Sequence, residues 1–225
     1  AAGLPIPPHL TRTPGGETSG TTDAVGDGVA DWRAGDRVAV QSNLFCGQCE
    51  FCLRGEESQC LNSRLLGVQQ DGGFAEFCVV PARALVRLPA GLGFEDSAAL
   101  TLAGSTAMHM LTDRAQVQPG QWVLVVGGAS GVGSAALQIA RGLGARVVTT
   151  APTPEKKVFC EQLGAEAVVD PGDPDWPAQV RRVTAKRGVD LVVEHVGGAV
   201  LEKVFQCLAR GGTVVTCGAT AGREV

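Results

Sequence analysis

Trp122-Val-Leu-Val-Val126 runs into Gly127-Gly-Ala-Ser-Gly-Val-Gly133 and then into a helical run from Ser134 to Gly142. Consecutive large apolar residues bounded by glycine read as a strand buried on both faces. A glycine-rich turn opening a helix aims unpaired amides and the positive end of the helix dipole at one spot, which suits a phosphate. The spacing departs from the strict G-x-G-x-x-G dinucleotide fingerprint. Two alignments fit. Gly128 and Gly133 form the outer pair with Ser130 in the middle slot, or Gly131, Gly133 and Ala136 fill the slots. A tight strand-to-helix turn without a ligand is the plain alternative.

The same rhythm continues downstream. Strands are expected at Arg146–Thr150, Ala167–Asp170, Asp190–Val193 and Thr213–Thr216. Helices are expected between them: one capped by Thr153, opened by Pro154 and closed by Gly164, one over 174–186 capped by Asp173, and one over 199–209 ended by Gly211. Alternating strands and helices predict an α/β fold with a doubly wound parallel sheet. Upstream the texture changes. Residues 1–94 are rich in Gly, Pro and Thr, with short strands expected at Arg37–Val40 and Phe77–Val80 and a tight turn at Asp71-Gly-Gly73. The reading is a β-rich domain over 1–94 and a nucleotide-binding domain over 95–225, both incomplete. The chain opens on Ala1-Ala-Gly-Leu-Pro and closes on Arg223-Glu-Val225, just after a strand.

Composition sets the outer limits. With 225 residues, 44% hydrophobic and 19% charged, and a mean hydropathy of +0.13, the chain has enough apolar mass for a packed core. No apolar run reaches membrane-spanning length, and a cytoplasmic setting is expected. A net charge of −4 with both signs scattered argues against nucleic acid or an anionic membrane as partner and leaves a small-molecule substrate.

Half of the eight cysteines fall in one short window: Cys46-x-x-Cys49-x-x-Cys52 and then Cys60, within a lobe over 43–62. Four soft ligands on one loop match a closed, tetrahedral, structural Zn²⁺ site with no open position for water. Unligated or disulfide-bonded cysteines and an iron–sulfur site are the competing readings, although the latter usually places Pro after the last Cys, where this chain has Leu61. Cys78, Cys160, Cys207 and Cys217 are scattered and expected to be buried small hydrophobes. The strand after the glycine-rich helix ends Thr149-Thr150-Ala151 with no acid to hold a ribose 2′-hydroxyl, and Thr153 and Lys156 follow. That pattern favours NADP(H) over NAD(H). An ordinary solvated helix face is the other reading of Lys156 and Lys157.

Together the two halves resemble the medium-chain dehydrogenase/reductases, the zinc-type alcohol dehydrogenase and quinone oxidoreductase superfamily. The resemblance rests on Ala24-Val-Gly-Asp-Gly-Val29, Gly35-Asp-Arg-Val38, the four-Cys lobe, Gly73-Phe-Ala-Glu76, the glycine-rich turn, Leu163-Gly-Ala165 and Gly211-Gly-Thr-Val-Val215. It implies a GroES-like domain followed by a Rossmann domain, an active site in the cleft between them, hydride transfer at a nicotinamide, and a homodimer or homotetramer. It also exposes two departures. Gly15-Gly16-Glu17 stands where zinc-dependent members carry Gly-His-Glu, and Ala98–Ser105 holds no thiol where a ligand is expected. Without those ligands an open catalytic Zn²⁺ site cannot be built. The expectation is therefore a family member with structural zinc alone, acting on a carbonyl, an alcohol, a conjugated enone or a quinone. An alcohol dehydrogenase with divergent metal ligands and a non-catalytic nucleotide-binding member are the alternatives.

Candidate cofactor contacts are Gly128, Ser130, Gly131, Val132, Gly133, Thr150, Thr153, Lys156, His195, Cys217 and Gly218. His195 follows a strand, at the end of parallel strands that lines the ligand crevice. It is also a candidate acid or base, and Glu194 beside it reads as a structural acid. Asn43 is read as a substrate-orienting amide or a turn residue, and Thr106 as a nicotinamide-side contact or a hydroxyl bonded to its own turn. His9 is expected at the surface and His109 as a satisfied helix-face histidine.

Overall fold

The structure, a computed structural model, describes residues 11–222. His9 and both chain ends lie outside the described residues. The chain divides into two compact units, one up to Leu102 and one from Ala103 onward.

In the first unit, β1 (Thr18–Thr21), β2 (Arg37–Val40) and β5 (Leu85–Arg87) form an antiparallel sheet in the order β1-β2-β5, and β3 (Asn43–Leu44) pairs with β4 (Arg64–Leu65). The one-turn helix α1 (Glu50–Leu53) lies between β3 and β4, and α2 (Phe94–Ala99) closes the unit. A small core of Val40, Leu44, Leu66 and Ala84 holds it together. Phe77–Val80 corrects expectation, because no ladder forms there. Cys78 and Val80 do turn inward onto the core, while Phe77 and Val79 stay 69% and 86% exposed. The alternation of a strand is present, but β2 already pairs with β1 on one edge and β5 on the other.

The second unit holds α3 (Ser105–His109), β6 (Trp122–Val125), α4 (Gly131–Gly142), β7 (Arg146–Thr150), α5 (Pro154–Gln162), β8 (Ala167–Val169), α6 (Trp176–Val183), β9 (Val189–Glu194), α7 (Ala199–Cys207) and β10 (Leu208–Thr216). All five strands run parallel in the order β10-β9-β6-β7-β8. The chain thus winds outward from β6 in one direction and then returns to the other side. This leaves the switch in direction between β6 and β9, where such sheets bind ligands at their carboxyl ends. Residues of β6 alternate between the two faces. Val123 and Val125 join one core with Leu137, Ala140 and Val147, while Trp122 and Leu124 join the other with Trp176, Val180 and Val204. Each such side chain contributes roughly 1.5–3 kcal/mol by leaving water.

Three local expectations shift. The helix expected over 174–186 is shorter, because Ala185 and Lys186 take φ of 50° and 68°, outside the helical region. Its cap is Asp175, whose N–H donates to Asp173 Oδ1 at 2.8 Å. Gly211 does not end α7; it sits in a register shift inside β10, which begins at Leu208. Of the four scattered cysteines, Cys160 and Cys207 are buried, whereas Cys78 is half-buried and Cys217 exposed. Cys217 lies past the end of β10, where the sheet no longer covers it.

Candidate functional site

The glycine-rich turn connects β6 to α4. Ser130 caps the helix: its Oγ accepts from Gly133 N at 3.0 Å and donates to the Gly127 carbonyl at 2.8 Å. The helix therefore opens at Gly131, three residues before the expected start. Gly127 has φ of 69°, a conformation that favours glycine. A Cβ at Gly128 would run into Thr149 Oγ1 and come within 3.0 Å of Cys160 Sγ. A Cβ at Gly133 would run into the Gly127 carbonyl, whereas one at Gly131 would meet Ala103 Cβ at 3.4 Å. A side chain is therefore shut out at Gly128 and Gly133 but not at Gly131.

Two threonines of β7 hold the turn from below. Thr149 Oγ1 donates to the Val125 carbonyl at 2.7 Å, and Thr150 Oγ1 accepts from Gly127 N at 2.8 Å. Thr150 is buried, with its hydroxyl turned to the loop. Thr153 caps α5, its Oγ1 accepting from Lys156 N at 3.4 Å. Lys157 pairs with Asp170 at 3.1 Å, leaving Lys156 as the exposed cation of that turn. The amide of Gly172, followed by the Lys157 ammonium, holds the Asp170 carboxyl below the usual carboxylate range.

Across the switch point, His195 follows β9. Its Nε2 lies 3.2 Å from Ser130 Oγ, and a Cβ on Gly127 would meet its Cε1 at 3.3 Å. Since Ser130 Oγ already donates to Gly127, the N–H of His195 Nε2 is the donor in that pair. The sequence therefore brought two separately chosen candidates, Ser130 and His195, into contact. The next segment, 217–222, wraps the same turn. Thr220 Oγ1 donates to the His195 carbonyl at 3.4 Å, Ala221 N donates to the Val196 carbonyl at 2.7 Å, and a Cβ on Gly218 would meet the His195 carbonyl at 3.2 Å. Glu194, expected as a structural acid, is the buried acid that anchors this turn.

The remaining candidates lie on other elements. Asn43 Nδ2 donates to the Glu57 carbonyl at 3.4 Å inside the cysteine lobe, a turn-holding contact. Thr106 is half-buried on α3. His109 is satisfied on its helix face, with Nδ1 2.6 Å from Asp113 Oδ2 and Nε2 accepting from Arg114 Nε at 3.1 Å.

In the first unit the sulfurs of Cys46, Cys49, Cys52 and Cys60 all lie within 4.8 Å of one another. Cys46 N donates to Cys60 Sγ at 3.2 Å, and the Cys49 and Cys52 sulfurs are 3.5 Å apart. Glycines with positive φ, Gly47 and Gly55, let the loop curl around the group. The amide of Gln48 draws the Cys46 thiol down to about 6, and the amides of Cys52 and Leu61 lower Cys49. Loss of hydration pushes Cys52 up to about 12, with a hydrogen bond to Cys49 adding to it. Converging amides favour thiolates, yet several thiolates so close together repel. A divalent cation at their centre would supply the missing charge, so this donor set fits Zn²⁺.

Sequence comparison matches two signatures: an alcohol dehydrogenase GroES-like domain over residues 2–90 and a zinc-binding dehydrogenase over residues 131–225. The chain belongs to the medium-chain, zinc-type alcohol dehydrogenase and quinone oxidoreductase family. Among its relatives, an alcohol dehydrogenase of Geobacillus stearothermophilus is 35% identical over 95% of this chain and 63% of its own length. Human quinone oxidoreductase is 29% identical over 97% of this chain and 58% of its own. A crystal structure of an NAD-dependent alcohol dehydrogenase superposes with a TM-score of 0.91 at 42% identity, covering 97% of this chain and 63% of that one. The cobalt- and zinc-bound thermostable alcohol dehydrogenase of Pyrobaculum aerophilum gives 0.86 at 33% identity, over 100% of this chain and 64% of that one. The chain thus spans about three-fifths of the length of the family members it matches. Its β-rich unit is the GroES-like domain, and its parallel sheet is the Rossmann part. Among the described residues, no helix is long and apolar enough to cross a membrane.

Proposed function

We propose that this protein is an NADP(H)-dependent oxidoreductase that moves hydride between the nicotinamide and a carbonyl or alcohol, or to a conjugated enone or quinone. The observation that carries the proposal is the turn Gly127–Gly133, capped by Ser130 and opening α4 beside the switch point of a parallel sheet. Ser130 takes the amide of Gly133, which leaves those of Gly131 and Val132 at the helix start to receive a pyrophosphate. Gly128 and Gly133 keep the turn tight, and Thr150 holds it by accepting from Gly127. Lys156 would meet a 2′-phosphate beyond the end of β7, where the strand itself closes on Thr149-Thr150-Ala151 without an acid. His195, Cys217 and Gly218 line the opposite side at the ends of β9 and β10, and any contact at 217–218 would be through main chain. A bound nicotinamide would give the hydride to a carbonyl, enone or quinone or take it from an alcohol; the protein's part is to orient it, hold the substrate and exclude water.

Cys46, Cys49, Cys52 and Cys60 would hold zinc in a structural role. Gly15-Gly16-Glu17 and the thiol-free run Ala98–Ser105 support a reading without a complete catalytic zinc site. Asn43 and Thr106 are retained as candidates for substrate and nicotinamide contacts. We place the domain boundary near residue 94 and the protein in the cytoplasm, as a homodimer or homotetramer.

Titration of the chain with NADPH and NADH side by side, followed by tryptophan fluorescence, tests the cofactor assignment. Tighter NADPH binding is the expected result. NAD(H) is the second reading, favoured by the 42% identical relative described as NAD-dependent; tighter NADH binding would establish it. Metal analysis tests the zinc assignment, with about one zinc per chain expected and two pointing to a second, catalytic ion.

A further inference from the structure

Glu194, at the carboxyl end of β9, is fully buried, yet no cation meets it among the interactions described. A buried carboxyl group is costly unless its oxygens are hydrogen-bonded. Here they are. Oε1 accepts from Val196 N at 2.6 Å and from Gly197 N at 2.8 Å, and Oε2 accepts from Thr216 Oγ1 at 3.3 Å. The backbone adds a fourth tie, Cys217 N to the Glu194 carbonyl at 3.3 Å. One side chain therefore closes the turn after β9 and fastens it to the end of β10.

The turn so closed is unusual. Gly197 and Gly198 take φ of 72° and 57° in succession, which leaves the backbone without side chains to fix it. Successive amides in such a turn form a concavity that attracts an anion. Glu194 fills that concavity from within. A phosphate then has no claim on the amides of Val196 and Gly197, and the first turn of α4 is the anion site that remains at the switch point. The one residue between the anchor and the anchored amides is His195, whose Nε2 donates to Ser130 Oγ at 3.2 Å.

We propose that Glu194 is a positioning residue: by occupying the Val196–Gly197 amides it sets His195 against Ser130 and so fixes the polar wall of the nucleotide site. The inference rests on the dinucleotide-binding function proposed above. It predicts a specific pattern of substitutions. Gln keeps an oxygen for both amides, and its NH₂ can donate to Thr216 Oγ1. Ala removes every contact, and Asp keeps a carboxyl group but is one methylene too short to reach both amides.

The test is made on the chain itself. The His195 imidazole is followed by long-range ¹H–¹⁵N NMR without nucleotide, and NADPH affinity is measured on the folded variants. Glu194→Gln should keep the protonated Nε2 signal of His195 and bind NADPH within twofold of wild type. Glu194→Ala should lose that signal and weaken NADPH at least tenfold, even well below its melting temperature, where a purely structural loss would leave affinity unchanged. If the Ala variant does not fold, Glu194→Asp takes its place with the same expectation. A folded Ala or Asp variant with an unaltered His195 spectrum overturns the inference, as does a Gln variant as weak as Ala. If the wild type binds neither NADPH nor NADH, the cofactor reading fails, while the nucleotide-free spectra still decide the role of Glu194.

Discussion

Alanine substitution at the three turn glycines should produce a ranked series. At Gly128 a Cβ would overlap Thr149 Oγ1 and press on Cys160 Sγ at 3.0 Å. Thr149 is fully buried and already bonded to the Val125 carbonyl, so its side chain cannot rotate away without losing that bond. Overpacking of this kind costs about 1–3 kcal/mol, and a lost buried hydrogen bond adds about 1 kcal/mol. At 2–4 °C per kcal/mol for a chain of this size, Gly128→Ala should lower the melting temperature by roughly 4–16 °C. At Gly133 the obstacle is the Gly127 carbonyl, part of the backbone. The gain of about 1 kcal/mol from placing Ala in a helix offsets only part of that collision, so Gly133→Ala should match or exceed Gly128→Ala. Gly131 is exposed, and the nearest atom to a Cβ there is Ala103 Cβ at 3.4 Å, an ordinary contact. With the same helical gain of up to ~1 kcal/mol, Gly131→Ala should leave the melting temperature unchanged or raise it by about 1–4 °C. Far-UV circular dichroism during heating reads all three, and NADPH affinity below the transition separates fold from site. If Gly131→Ala proves the most damaging, Gly131, Gly133 and Ala136 form the fingerprint instead.

Other predictions concern charge and metal. Removing zinc with a chelator, or Cys60→Ser, should leave the parallel sheet intact by circular dichroism but open the 43–62 lobe to proteolysis; a lobe equally resistant without metal would contradict a structural role. Zinc should also be released on acidification, since each thiolate ligand must be unprotonated. Lys156→Glu should weaken NADPH by roughly tenfold, about the size of one charge-assisted bond, and leave NADH nearly unchanged; equal loss for both would remove Lys156 from 2′-phosphate recognition. Asp190 is held below its ordinary pKa by hydrogen bonds from Arg187, with the Trp122 amide assisting. Because the folded value is the lower one, its stabilisation is present above the unfolded value and lost as pH falls through the folded one. Asp190→Asn should therefore cost about 1–3 kcal/mol at pH 7, and urea denaturation should find the difference shrinking below pH 4.

What could be read without coordinates was what depends on neighbours in sequence. The cysteine ligands lie within 15 positions, from Cys46 to Cys60, and the loop glycines among them carry the required turns. The strand-to-helix alternation likewise follows from local periodicity, and it led to the correct sheet. Errors arose where a residue's state depends on distant backbone. Phe77–Val80 has the alternation of a strand, but a strand exists only if a partner edge is open, and no local pattern reports that β2 is paired on both sides. Gly211 resembled a helix end because glycine serves equally in a bulge, and the parallel pairing of β10 with β9 decided between them.

The candidate site divides along the same line. Each member of the Ser130–His195 pair was visible alone, one as a departure from the glycine fingerprint and the other as a histidine after a strand. Their contact spans 65 residues and depends on β6 and β9 being adjacent. That adjacency gives the departure a physical reason. A glycine in the middle slot would leave the amide of Gly133 and the Nε2 of His195 without the hydroxyl that both now use. The serine thus serves two elements at once, capping α4 and receiving the turn that Glu194 holds. Glu194 was readable as a structural acid, but a strand-end acid carries no sequence mark separating a solvent-facing role from a buried anchor. Only the convergence of Val196, Gly197 and Thr216 on its two oxygens distinguishes them.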